Sequence, residues 1–273
     1  KYWVNTVDID GYRCDFSGGV PVDFWEEANT ELQAIKPLFM LSENDSDYAQ
    51  LRSAFVANYG WSLMTDLNAF ARSGGDAFEF IGTIKHIAND YPSGTFPMTF
   101  ITNHDENSWN GTEYERLGVY VKRFSALYFT VPGIPLIYNG QEIGLNRRLE
   151  FFEKDPISWK TTATSTALTD FYRKLVALKS KNAALWNGTY GGAITIRDGS
   201  NPFVLSYSRA KGTSKVIVSI NLSAKSQKNK ISIGSSMAGY YYDFATGKKL
   251  KLASSITVTV PANGFVIYST TLV

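Results

Sequence analysis

Ile9-Asp10-Gly11-Tyr12-Arg13-Cys14-Asp15 is a strand-length run that closes on charged residues, and a helical pattern follows it. From Val22 to Ile35 apolar side chains recur at helical spacing, at Phe24, Trp25, Ala28, Leu32 and Ile35. Pro37-Leu38-Phe39-Met40-Leu41 then reads as a second short apolar strand. Working outward, the same alternation predicts helices over 46–58, 76–88, 113–129 and 168–179. It predicts further strands over 61–67, 98–102 and 133–138. Short continuous apolar strands separated by helices are the pattern of a parallel sheet covered on both faces.

Beyond residue 185 the pattern changes to strands alone. Apolar or alternating runs begin at Ile194, Phe203, Val216, Lys230, Gly239, Ile256 and Phe265. Turn signals lie between them at Asp198-Gly199, Lys211-Gly212, Thr246-Gly247 and Asn263-Gly264. The expected organisation is therefore a β/α region over 1–185 and an antiparallel sandwich over 186–273.

Composition narrows the function classes. The 273 residues carry 27 Lys and Arg against 25 Asp and Glu, two His and one Cys. A net charge of +2 supplies no field for steering to nucleic acid or an acidic membrane. One cysteine makes no internal disulfide, thiol redox pair or cysteine zinc cage. No apolar run approaches the ~20 residues of a membrane span. The 44% hydrophobic and 14% aromatic content is enough for a large core. The first residues read as the last turns of a helix already under way, with Tyr2, Val4 and Val7 apolar. That reading makes the chain a C-terminal portion of something longer.

In parallel β/α barrels the reactive groups stand at the C-terminal ends of strands. Here three strand ends carry acids. Arg13 and Asp15 share one face of the first strand by period-2 alternation, and Cys14 points the other way as an inert core thiol. Phe39-Met40-Leu41-Ser42 runs into Glu43, and Phe100-Ile101-Thr102-Asn103 runs into His104 and Asp105. Taken singly, each is also a plausible cap or loop residue. Together they form the set that glycoside cleavage requires, namely a carboxylate nucleophile and a protonated acid. An arginine beside a carboxylate favours its ionised form, which makes Asp15 the nucleophile and Glu43 the acid. Asp105 is then a third carboxylate for sugar hydroxyls and ring charge, and His104 a donor to the same sugar. Trp109 and Tyr138 are either packing aromatics or stacking platforms for sugar.

These motifs carry a resemblance. Gly11-Tyr12-Arg13-Cys14-Asp15, Phe39-Met40-Leu41-Ser42-Glu43 and Thr102-Asn103-His104-Asp105-Glu106-Asn107 resemble three ordered motifs of the α-amylase family of glycoside hydrolases (family 13). Gly133-Ile134-Pro135-Leu136-Ile137-Tyr138-Asn139-Gly140-Gln141-Glu142 is similar to the family's last barrel strand and following loop. Asp155-Pro156-Ile157-Ser158-Trp159 resembles a segment before the final barrel helix. The resemblance implies a partial (β/α)8 TIM barrel of about five units, corresponding to strands four to eight, followed by the all-β sandwich. It implies Asp15 as nucleophile, Glu43 as general acid/base and Asp105 as transition-state stabiliser. Arg13, His104, Trp109 and Tyr138 fall on the substrate. The implied substrate is starch-like α-glucan or maltooligosaccharide, cleaved with retention, with the two carboxyls about 5–5.5 Å apart.

Two departures from the family pattern shape these expectations. Gly18 and Gly19 stand where members that cut long starch chains often have Lys-His. The family's opening Asp-Asn-His strand and its lobe after the third strand, which often binds calcium, are outside this sequence. No cofactor or metal is expected within these residues, with calcium belonging to the missing lobe. The 273 residues alone are expected to be inactive and to self-associate through open barrel edges. Competing readings are an α-glucan transglycosylase, a non-catalytic glucan-binding relative, and a metal enzyme using the acids as ligands. Nucleic-acid partners are not expected. A secreted or periplasmic bacterial location is favoured over the cytoplasm.

Overall fold

The computed structural model describes residues 1–45 and 48–273. Ser46 and Asp47, which open the helix expected over 46–58, lie outside the described residues. Among the described residues, five strands form a parallel sheet in sequence order: β1 (Gly11–Cys14), β2 (Phe39–Ser42), β3 (Ala57–Tyr59), β4 (Phe96–Thr99) and β5 (Ile134–Pro135). Its register sets Arg13 beside Leu41, Leu41 beside Ala57, Tyr59 beside Met98 and Thr99 beside Pro135. Because all five run the same way, their C-terminal ends share one rim.

The covering helices are α1 (Val22–Gln33), α2 (Ala49–Ser53), α3 (Trp61–Ser73), α4 (Phe78–Asn89), α5 (Glu113–Leu117), α6 (Val121–Thr130) and α7 (Ala163–Lys181). Two expectations are reversed here. The stretch 61–67, expected as a strand, begins α3, because Leu63, Met64, Leu67 and Phe70 fall on one buried helical face. The third strand is instead Ala57–Tyr59, inside the range expected as helix, so that α2 is only five residues long. The long helix expected over 113–129 is broken at Gly118, whose φ of +52° ends α5. At α5's other end Thr112 and Glu115 form a reciprocal capping box.

A second, six-stranded antiparallel sheet runs in the order β11-β10-β13-β8-β7-β6, and β12 pairs with β9 against it. These strands are β6 (Ile194–Ile196), β7 (Val204–Lys211), β8 (Ser214–Asn221), β9 (Gln227–Ser232), β10 (Gly239–Asp243), β11 (Lys249–Leu252), β12 (Ser255–Val260) and β13 (Phe265–Ser269). β11 was not expected, since Lys-Leu-Lys-Leu reads as a solvated stretch; it is an edge strand, where lysines discourage further pairing.

The two parts share one core. Leu63 and Leu67 of α3, Phe124 and Leu127 of α6, and Tyr172 of α7 pack in the same buried cluster as Leu205 and Tyr207 of β7. Arg209 seals this junction, donating to the carbonyls of Thr130, Val131, Leu185, Trp186 and Gly192. The architecture is thus a partial β/α barrel followed by a β-sandwich. No helix among the described residues is long and apolar enough to cross a membrane.

Candidate active site

Arg13 projects from β1 on the face opposite Cys14, which packs with Tyr12 and Trp25 toward the helices. Its guanidinium has three partners. Nη1 donates to Asp15 at 2.6 Å, Nη2 to Glu43 at 2.5 Å, and Nε to the Tyr59 hydroxyl at 3.0 Å. One arginine therefore joins the ends of β1, β2 and β3.

The turn after β1 is fixed from below. Ser17 is fully buried, and its carbonyl accepts from Trp25 Nε1 at 3.0 Å and Gln50 Nε2 at 2.8 Å. The Ser42 hydroxyl, within 2.6 Å of the Ser17 hydroxyl, donates to Gln50 at 3.0 Å. Above this network Phe16 takes a left-handed conformation, with φ +42°. For a non-glycine residue that conformation costs about 1–2 kcal/mol. It turns the Phe16 N–H onto Glu43 Oε2 at 2.7 Å. Such strain at a cluster of acids is a common property of functional sites. Gly19 leaves room for the Phe16 ring, since a Cβ there would lie 2.2 Å from Cε1.

His104 and Asp105 arrive by a different route from that expected. β4 ends at Thr99, and Phe100 to Asn103 continue, buried, to the single helical turn Glu106–Asn110. His104 Nε2 lies 3.3 Å from Asp105 Oδ2. Ligand atoms of Glu43, His104 and Asp105 all fall within 4.8 Å of one another. Tyr138, after β5, faces Asp105; burial and then that negative charge raise its phenol pKa. Trp109 is 57% exposed and packs against Phe151 and Phe152.

The electrostatics separate the carboxylates. Hydrogen bonding to Arg13 and that residue's charge hold the Asp15 carboxyl below the usual carboxylate range, with a smaller contribution from a hydrogen bond to Glu43. Asp15 remains open to solvent, its side chain 78% exposed, while Glu43 is only 15% exposed. His86, the second histidine, is on α4 between the Tyr48 hydroxyl and Asp90, at 2.6 Å from each. It takes no part in the acid cluster.

Asp15, Glu43, Asp105, Arg13, His104 and Tyr138 thus come together on one rim, with Trp109 at its margin. Sequence reasoning missed Tyr59, Phe151 and Phe152. Tyr59 was readable as the last residue of the run Val56-Ala57-Asn58-Tyr59 before Gly60. The adjacent Phe151-Phe152 carried no periodic signal.

An acid rim at the C-terminal ends of parallel strands, backed by a β-sandwich, defines a barrel protein with a carboxylate-based site. The family model for the alpha amylase catalytic domain matches residues 1–197. The chain belongs to the alpha-amylase family of glycoside hydrolases, family 13. It is 30% identical over 241 residues to the maltogenic alpha-amylase of Bacillus acidopullulyticus, covering 85% of this chain and 40% of that protein. Against the cyclomaltodextrinase of Geobacillus thermopakistaniensis the identity is 26% over 280 residues, covering 98% and 46%. The chain spans less than half the length of these two relatives. The solved structure of a noncanonic maltogenic alpha-amylase from Thermotoga neapolitana shares the fold, with a TM-score of 0.82 and 24% identity over 100% of this chain and 64% of that one.

Proposed function

We propose that this chain carries the reaction centre of a retaining hydrolase of α-glucans, acting on maltooligosaccharides. The observation that supports it is Arg13, whose two Nη atoms bind Asp15 and Glu43. In the proposed reaction the Asp15 carboxylate attacks the anomeric carbon while Glu43 passes its proton to the departing glycosidic oxygen. A glycosyl ester on Asp15 results. Glu43, now a carboxylate, takes a proton from water, which attacks the ester carbon and releases sugar with retained configuration. Arg13 keeps Asp15 ionised for the attack, and Asp105 and His104 hold the reacting sugar. Retention needs about 5–5.5 Å between the two carboxyls, and the exposed Asp15 side chain is the one free to swing from Glu43 as sugar enters.

The names of the relatives, maltogenic amylase and cyclomaltodextrinase, support short maltooligosaccharides as substrates, as does Gly18-Gly19 in place of a cationic contact. In the intact protein Asp15→Asn lowers kcat on maltotriose by at least ~1,000-fold, followed by product chromatography. Undiminished hydrolysis removes Asp15 as nucleophile. The same assay with added glucose acceptors separates hydrolysis from transglycosylation, and binding without turnover marks a non-catalytic glucan-binding relative. Open strands β1 and β5 support self-association of the 273 residues, read by light scattering, and low activity in them alone. Calcium, if used, belongs to sequence outside these residues, and a secreted or periplasmic location is the matching proposal.

The close set Glu43, His104 and Asp105 favours one second reading, a bound cation. The Arg13 guanidinium on Glu43 opposes it by like charge. Stoichiometric zinc or iron in the purified protein supports the cation instead.

A further inference from the structure

Three rings stand beside His104 without belonging to the acid cluster. Phe151 stacks on the His104 ring at 5.7 Å and 28°. Trp109 tilts against Phe151 at 5.1 Å and Phe152 at 6.2 Å, and the two phenylalanines meet edge to face at 4.7 Å. Trp109 is 57% and Phe152 83% exposed. Contiguous apolar surface left in water marks a binding site.

The support beneath the rings is polar and tied at both ends. Asn107 accepts from the Leu149 N–H at 2.8 Å and donates to the Arg147 carbonyl at 3.2 Å. The Ser108 hydroxyl donates to the Leu149 carbonyl at 2.7 Å. On the far side Arg147 bonds both carboxylate oxygens of Asp155 at 2.6 Å, and Asp155 accepts from the Glu150 N–H at 2.9 Å. These bonds hold the loop against the turn Glu106–Asn110, so the rings are displayed rather than folded inward.

Resting on the hydrolase reading above, we propose that Trp109 and Phe152, braced by Phe151, form a stacking platform for the second and third glucose units on the donor side of the cleaved bond. The C–H faces of pyranose rings pack on aromatic faces, and His104 makes the platform continuous with the site of the attacked sugar. Its side follows from the sheet order. Glu43, which protonates the departing oxygen, ends β2, whereas the platform is carried by the loops after β4 and β5, across the sheet. A donor with several glucose units therefore gains contacts that a single glucose does not.

The test uses the intact protein and p-nitrophenol release from the α-glucoside, α-maltoside and α-maltotrioside. Trp109→Ala and Phe152→Ala each lower the maltotrioside-to-glucoside ratio of kcat/KM about tenfold. That is ~1.4 kcal/mol, within the range of one aromatic contact. Phe152→Tyr keeps the ratio within about twofold. An unchanged ratio in an enzyme that turns over overturns the platform, as does loss confined to transfer onto added acceptor sugars. A change of oligomeric state without a change in ratio also overturns it and makes the patch a copy-to-copy contact. If the unsubstituted protein releases nothing from any of the three, the hydrolase reading fails instead. The platform is then judged by tryptophan fluorescence with maltotriose: a change lost in Phe152→Ala supports it, and no change overturns it.

Discussion

Arg13 binds Asp15 and Glu43 through the two ends of one guanidinium and the Tyr59 hydroxyl through Nε. Its bond and charge lower the Asp15 pKa, so Asp15 stays ionised below the usual ~3.9 of a free aspartate. An ionised nucleophile is needed for attack, and activity is lost on acidification only as Asp15 takes up a proton. Arg13→Ala therefore moves the acidic limb of the kcat/KM profile upward in pH, besides lowering the plateau. A limb at the same pH would separate Asp15 from the nucleophile's role. At this scale the sequence was readable where a charge interrupts an apolar strand, as at Asp15 and Glu43, because burial cost makes such a residue informative by itself. Tyr59 escaped because its hydroxyl acts through Arg13, a partner 46 positions away that no local pattern reveals.

At the scale of elements, the loop after β1 depends on one buried amide. Gln50 in α2 joins Ser42 at the end of β2 to the Ser17 carbonyl. Through Ser17 it fixes the left-handed Phe16 that bonds Glu43. Gln50→Ala removes both bonds in a buried site and destabilises the fold by about 2 kcal/mol, measured by urea unfolding. It also lowers kcat more than it raises KM, since the acid and nucleophile lose their mutual placement. Unaltered kcat would make Gln50 a packing residue only. Helix existence was legible wherever one apolar face repeats, as in α1 and α4. The region 56–67 was not, because a three-residue strand leads directly through Gly60 into α3. In so short a span an apolar run carries no period to distinguish strand from helix.

For the whole molecule, the barrel portion and the sandwich depend on the same buried cluster and on Arg209, which satisfies carbonyls from the end of α6 and from the connector before β6. Arg209→Met leaves several of these acceptors without a donor and costs at least ~3 kcal/mol. Calorimetry should show one transition moving to lower temperature. A sandwich that melts separately while the barrel portion keeps its midpoint would contradict the shared core. The change from alternating to all-β pattern near residue 185 was legible from turn spacing. The shared interface was not, because Tyr207 and Arg209 sit on a strand whose pattern says only that one face is buried.

The central claim is that the ends of β1, β2 and β4 make one retaining reaction centre with Asp15 as its nucleophile. Its most direct test is to trap the intermediate in the intact protein with 5-fluoro-α-glucosyl fluoride and map the adduct by peptide mass spectrometry. The predicted result is one glycosyl ester, on Asp15, absent from Asp15→Asn. An adduct on Glu43 or Asp105, or turnover of maltotriose with inversion and no adduct, would contradict it.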